Sequence, residues 1–317
     1  MRKEKRVNRT VIRKRKAGGF GPYFRRHYGL YLMLLGPAVF YLIFCYGPMG
    51  GLVIAFKDYN FRKGIWDSEW CGLEVFKRIF STGKFWRAFK NTLVLNLLSL
   101  IFGFPAPILL ALLLNEIRNG LFKKGLQTIL YLPHFMSWVI IGGMAVQIFA
   151  TDNGILNVLF QNLGLGSIPF LSSAGAWIGT YVGVGIWQSI GWGAIIYLSA
   201  ITGIDQEQYE AARVDGCNRF RMMYKITLPN ILPTVIIMLI LKIGGMVSIG
   251  FEQPLMMGNS MVKDVSEVLS TYAYTVGIEQ GKFSPAAAIG LFQSAVNLTL
   301  VLGANKLCAK ISGESIW

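Results

Sequence analysis

Six apolar runs, each about long enough to cross a ~30 Å hydrocarbon core as a helix, follow one another along the 317 residues. They extend from about Tyr28 to Phe56, Thr92 to Leu114, Leu126 to Ala150, Ala174 to Ile201, Ile231 to Phe251 and Pro285 to Leu307. Within lipid every backbone N–H and C=O must be satisfied inside the segment, so such runs predict helices. Hydrophobic residues make up 53% of the chain and charged residues 15%, which excludes an ordinary soluble domain. The expected fold class is an all-α integral membrane protein with six transmembrane helices and both termini on one side.

The formal net charge of +15 raises the question of a nucleic-acid partner, and the placement of the 31 Lys and Arg answers it. Eleven lie before Tyr28, in a basic segment over residues 1–27. With the N-terminus inside, twenty basic residues fall on inner segments and ten on outer ones, leaving Lys242 within the fifth run. This bias predicts cytoplasmic N- and C-termini in a bacterial cell membrane, a basic flank beside membrane lipid, and no nucleic-acid partner. The first run is too long for a secretory leader and lacks a small-residue cleavage site, so it is expected to remain as an anchor. Two domains are therefore expected, the basic segment 1–27 and a membrane domain 28–317.

Between the first two runs, Leu73 to Phe89 intersperses Phe76, Ile79, Phe80, Phe85 and Trp86 with Lys77, Arg78, Lys84 and Arg87. The pattern predicts one amphipathic helix lying at the interface. Spans three to five are rich in glycine, with Gly179 and Gly183 forming a GxxxG step, and tight helix packing is the expected reason for most of them.

Residues 203–229, between spans four and five, are too polar for lipid. Asp205 is a good N-cap, with Gln208 three residues on to complete a capping box, and Gly216 stands where a helix should stop. A second short helix is expected after Asn218, ending at Pro229. Two short helices meeting near Gly216 make a projection able to enter a cleft on a soluble partner.

The order Glu210-Ala211-Ala212, three residues, Gly216, nine residues, Ile226-Thr227-Leu228-Pro229 resembles the EAA signature of binding-protein-dependent ABC importer permeases at every defining position. Tyr131 to Ser137, Ser270 to Tyr274 and the ending Gly313 to Trp317 are similar to the polysaccharide-type carbohydrate permeases. The resemblance implies that this loop is a cytoplasmic coupling helix, with Glu210, Ala211, Ala212, Asp215, Gly216, Ile226, Leu228 and Pro229 at the contact with an ATPase subunit. It further implies two such ATPase subunits, a second homologous permease and an extracytoplasmic sugar-binding protein.

The chain has no G-x-x-x-x-G-K-[ST] loop, because Gly83-Lys84 and Gly281-Lys282 are each followed by Phe. ATP and magnesium are therefore expected on the partner subunits, with no cofactor on this chain. His27 and His134 are the only histidines, the four cysteines have no metal-ligand spacing, and no nucleophile motif is present, so an enzyme is not expected. A path for sugars needs hydrogen-bonding groups and aromatic faces. Trp187, Gln188, Trp192 and Tyr197 of span four are the candidates, joined by Lys242, whose charge near the middle of span five requires a partner or a polar cavity. The expected function is oligosaccharide import by alternating access. Import of a peptide, phosphate or metal by the same machinery is the alternative, and a proton- or sodium-driven carrier would need intramembrane carboxylates that the spans lack.

Overall fold

The computed structural model describes residues 20–312. Most of the basic segment 1–27 and the ending Gly313 to Trp317 lie outside the described residues. Five helices are long and apolar enough to span a membrane, and a sharply bent pair supplies a sixth if counted as one span. The chain separates into two units, residues 1–52 and 53–317.

Helix α1 (His27–Phe56), which begins in the first unit, passes through Pro37 and a widened turn at Leu42–Tyr46. Its apolar side chains, among them Leu32, Met33 and Phe44, are exposed. Such a surface is stable only against lipid or another apolar helix.

The second unit begins with a two-stranded antiparallel pairing of Lys57–Asp58 with Glu69–Trp70. Helices α2 (Glu74–Phe80) and α3 (Gly83–Glu116) follow. The single interfacial helix expected over Leu73–Phe89 is thus two pieces, separated where Thr82 becomes extended. The cause is packing. Phe80, Phe85 and Phe89 each meet Phe292, with ring centroids 5.4, 5.4 and 5.6 Å apart, and Phe85 and Ala88 are completely buried. A π turn at Ser99–Gly103 precedes Pro105 in α3 and accommodates the missing N–H.

The third expected span is broken. Helix α4 (Gly120–Phe135) and helix α5 (Trp138–Phe149) meet at 103°. Asn119 caps α4 by accepting from the Leu121 and Phe122 N–H groups at 3.0 and 3.1 Å. At the bend Met136 and Ser137 are extended, and Ser137 begins α5 as its cap. After α6 (Ile155–Asn162) comes α7 (Ala174–Thr202), whose 29 residues exceed the bilayer core at ~1.5 Å per residue. Helix α7 is the central strut: Ala194, Leu198 and Ile201 pack on Ile108, Ala111 and Leu112 of α3.

Helices α8 (Gln206–Val214) and α9 (Arg219–Gly244) complete the middle of the unit. Pro229 does not end a short helix as expected. A π turn over Met223–Thr227 widens the backbone before it, and the helix runs on into the membrane span. Span five instead stops at Gly244, well before Phe251. Its freed backbone groups are taken up by amide side chains: Asn96 donates to the Met246 carbonyl at 2.8 Å, Gln293 donates to the Val247 carbonyl at 3.1 Å, and Asn297 accepts from the Val247 N–H at 3.1 Å. Inside a bilayer such replacement is what permits a broken helix. Helices α10 (Glu252–Met257) and α11 (Leu269–Tyr274) lead to α12 (Phe283–Lys310). The segment before α11 is tied to α3 by Arg87 with Asp264 and by Asn91, which donates to the Asp264 and Glu267 carbonyls at 2.8 and 2.9 Å.

Glycine packing is real but uneven. A Cβ on Gly142, Gly185, Gly191, Gly193 or Gly244 would press on a neighbour, whereas at Gly179 and Gly183 nothing lies within 4 Å. The GxxxG step is therefore open in this chain rather than packed.

Candidate functional site

Two constructions stand out, a projecting loop at one end of the spans and a polar cavity among them. In the loop, Asp205 caps α8 by accepting from the Glu207 N–H at 3.0 Å. The expected capping box does not close: Gln208 turns away and its Oε1 accepts from Asn230 Nδ2 at 3.0 Å, tying α8 to α9. Tyr209 and Thr227 share a second bond of 2.9 Å between the same helices. The end of α8 is a Schellman turn, with the Cys217 N–H on the Ala212 carbonyl at 2.9 Å and the Gly216 N–H on the Arg213 carbonyl at 3.1 Å. Gly216 has φ of +74°, which side-chain-bearing residues rarely adopt.

Around this turn Glu210, Ala211, Asp215 and Gly216 are exposed, and Ala212 faces inward. Ile226 and Leu228 are half-buried, and Pro229 is exposed. Two hydrophobic side chains here escaped the sequence reading, Val214 at 89% and Phe220 at 77% exposure. Large exposed apolar groups on a polar projection mark an interaction surface.

The polar cavity has a volume of about 230 Å³ and joins Gln188 and Ser189 of α7, Lys242 of α9, Ser99 of α3, Trp138 of α5 and Gln253 of α10. Lys242 stands in the last turn of α9, where the carbonyl end of the helix favours a cation. It forms no ion pair among the described residues. Gln253 seals one wall, donating to the Tyr181 carbonyl at 2.8 Å and passing close over Gly185. Ser99, Ser189 and Gln253 were legible as polar residues in or beside apolar runs, but nothing in their spacing brings them together.

The aromatic candidates separate. Trp187 leaves the cavity and lines an apolar groove of about 390 Å³ with Gly179, Gly183 and Phe149. Trp192 stacks on His134 at 4.6 Å, with their rings within 5° of parallel. Tyr197 is only 4% exposed and belongs to the core between α3 and α7, so the expected place on a substrate path is corrected to a packing role. Among the described residues no group of three or more His, Cys, Asp or Glu could hold a metal.

Residues 89–311, which contain both constructions, match the family described as binding-protein-dependent transport system inner membrane component. The chain belongs to this family. Protein LplB of Bacillus subtilis (strain 168) is 45% identical over 293 residues, covering 92% of each chain. The polygalacturonan/rhamnogalacturonan transport system permease protein YteP of the same organism is 46% identical over 288 residues, covering 91% of this chain and 90% of the other. A crystal structure of a bacterial alginate ABC transporter, in complex with alginate pentasaccharide-bound periplasmic protein, contains a similar chain. The two agree with a TM-score of 0.85 at 37% identity, over 94% of this chain and 100% of that one. A second structure, of a bacterial ABC transporter involved in the import of the acidic polysaccharide alginate, gives 0.84 at 38% identity, over 93% of this chain and 100% of that one. The chain is thus a multi-pass ABC transporter permease, a transport subunit rather than an enzyme.

Proposed function

We propose that this permease moves acidic, uronate-bearing oligosaccharides into the cytoplasm, and that Lys242 and Gln188 form this chain's share of the sugar site. The observation that carries the reading is Lys242, unpaired within the described residues and lining a cavity together with the amides of Gln188 and Gln253 and the hydroxyls of Ser99 and Ser189. A charge at the broken end of a span, inside the apolar layer, costs up to about 3 kcal/mol unless it gains a partner. A substrate carboxylate is such a partner, present only during transport. The similar proteins named for polygalacturonan and alginate, both uronate polymers, support the same class.

In this reading the termini face the cytoplasm and α8 is the coupling helix. Glu210, Ala211, Ala212, Asp215 and Gly216 meet an ATPase subunit, with Ile226, Leu228 and Pro229 holding the base of the projection. Two ATPase subunits bind ATP and magnesium. A second, homologous permease closes the other half of the pore, and an extracytoplasmic sugar-binding protein delivers substrate. The domain division into a basic segment 1–27 and a membrane domain 28–317 belongs to this proposal.

The test is uptake by the reconstituted complete transporter, comparing oligogalacturonate with the same oligomer after carboxyl reduction. Wild type prefers the acidic oligomer, and Lys242→Met lowers that preference by roughly tenfold or more, the effect of removing one charge-assisted hydrogen bond. An unchanged preference with normal complex yield would sink the assignment of Lys242.

A further inference from the structure

A charged cavity that the sugar path does not use lies at one end of the spans α3, α7 and α9. It measures about 370 Å³ and is walled by Glu116 at the end of α3 and Arg118 just after it, Thr202 at the end of α7, Tyr209 and Arg213 of α8, and Arg219 at the start of α9. Three guanidinium groups thus face one carboxylate. Arg219 lies 3.7 Å from Glu116, whereas Arg118 and Arg213 have neither an ion pair nor a hydrogen bond among the described residues. Tyr209 is already engaged with Thr227. The cavity therefore carries an excess of two positive charges, both on planar donors suited to gripping phosphate oxygens in pairs.

Depth decides what could supply that phosphate. Glu116 and Thr202 are the last residues of α3 and α7, just past the apolar runs that end at Leu114 and Ile201, and Arg219, the first residue of α9 and well ahead of the apolar run from Ile231, reaches the same level through its contact with Glu116. The point where apolar spans end is the boundary of the hydrocarbon core, the level of phospholipid phosphates. Basic residues at this level draw anionic lipid by about 1 kcal/mol each. We propose that this cavity binds the phosphate of an anionic phospholipid headgroup through Arg118, Arg213 and Arg219. The bound headgroup braces α8 against the ends of α3, α7 and α9. One wall belongs to the projecting helix and the others to the spans, so headgroup occupancy ties the position of α8 to the charge of the membrane. The consequence for coupling rests on the reading of α8 given above, whereas lipid binding itself does not.

The experiment uses the complete transporter, with partner permease and ATPase subunits, in nanodiscs of phosphatidylcholine alone or mixed with phosphatidylglycerol. Lipid retained after transfer to detergent is counted by native mass spectrometry, and ATP hydrolysis is measured in parallel. Wild type retains phosphatidylglycerol and hydrolyses ATP faster in the mixed discs. Arg118→Gln combined with Arg213→Gln binds phosphatidylglycerol roughly a hundredfold more weakly, about tenfold for each guanidinium removed from the phosphate, and loses the acceleration. Arg118→Lys with Arg213→Lys keeps the charge but not the paired geometry, and recovers part of the retention. Equal retention by wild type and the Gln variant overturns the site. Acceleration by inorganic phosphate in neutral discs, matching that by phosphatidylglycerol, overturns the lipid as the source. Loss of the ATPase subunits from the Gln variant with lipid retention unchanged makes the cavity a protein-docking surface and also overturns the proposal. Lipid retention needs no sugar and no turnover, so failure of the uronate or coupling reading leaves this readout intact.

Discussion

Gly191 is among the tightest positions of the described residues. A Cβ there would lie 2.1 Å from the Leu130 carbonyl oxygen, 2.5 Å from its carbon and 3.1 Å from Tyr131 Cδ1. A carbon rests against a carbonyl oxygen at about 3.3 Å, so Gly191→Ala forces α7 and α4 apart by roughly 1.2 Å. Both neighbours nearest the new methyl are backbone atoms, which cannot rotate away. A gap of ~1 Å forfeits up to about half of the dispersion attraction along the seam, and overpacking of this kind costs about 3 kcal/mol, the upper end of its usual range. For a chain of this length that lowers the unfolding midpoint by about 4 to 5 °C. The assay is thermal unfolding of the purified permease in detergent, with Gly183→Ala as the comparison. The open space around Gly183 leaves that variant near the wild-type midpoint. If the two alanine variants unfold at the same temperature, the close approach of α7 to α4 is refuted, and with it the reason for glycine at that position.

Gly216 tests the loop in the opposite way: at φ +74° with nothing within 4 Å of a new Cβ, Gly216→Ala costs about 1 to 2 kcal/mol of local strain and no clash. Insertion and midpoint are expected to stay near wild type, while Gly216→Asp and, less severely, Glu210→Ala lose co-purifying ATPase subunits or sugar-stimulated hydrolysis; normal values for both would refute the coupling role. Lys242→Arg keeps the charge and is expected to preserve the preference for acidic oligomers, with a raised KM from the bulkier group, as measured by concentration-dependent uptake. Asn157, fully buried, donates to the Ala150 and Ile168 carbonyls at 3.0 and 2.9 Å and accepts from the Ile168 N–H at 2.8 Å. Asn157→Ala strands these groups and is expected to destabilise the segment after α5 by about 1 to 3 kcal/mol, read as faster amide exchange over residues 150–168.

The helical membrane class, the polar loop and its glycine stop were legible because each rests on local chemistry: run length, a capping residue, a position where φ must be positive. The misread features all involve partners distant in sequence or backbone geometry that residue types do not encode. Pro229 looked terminal because a π turn cannot be foreseen from residue types. Gln208 looked like half of a capping box because Asn230, its actual partner, is 22 positions away. Phe85 looked interfacial because Phe292 on α12 is invisible to periodicity. Tyr197 and Trp187 illustrate the same limit at the site, since an apolar helix with polar residues on several faces does not announce which face meets a cavity.

The break in α9 links these readings physically. A straight span from Ile231 to Phe251 would hold Lys242 within an unbroken ladder, distant from any helix end. Stopping at Gly244 instead places Lys242 in the final turn, at the negative end of the helix dipole. It also frees the chain to return as α10, which lays Gln253 beside the same cavity. The stop is held by Asn96, Gln293 and Asn297, amides from the second and last spans. These residues touch no sugar in the proposed mechanism, yet they hold the break that gives the cavity its charge. Replacing Asn297 with Leu removes both the acceptor for the Val247 N–H and the donor to Ser248 Oγ at 2.7 Å. The expected result is a permease in which uptake falls for acidic and neutral oligomers alike, because the cavity wall itself shifts, in contrast to the selective loss in Lys242→Met. Uptake that changes only for the acidic oligomer in Asn297→Leu would show that the break positions the charge alone, and would refute a shared structural role for the amide cluster.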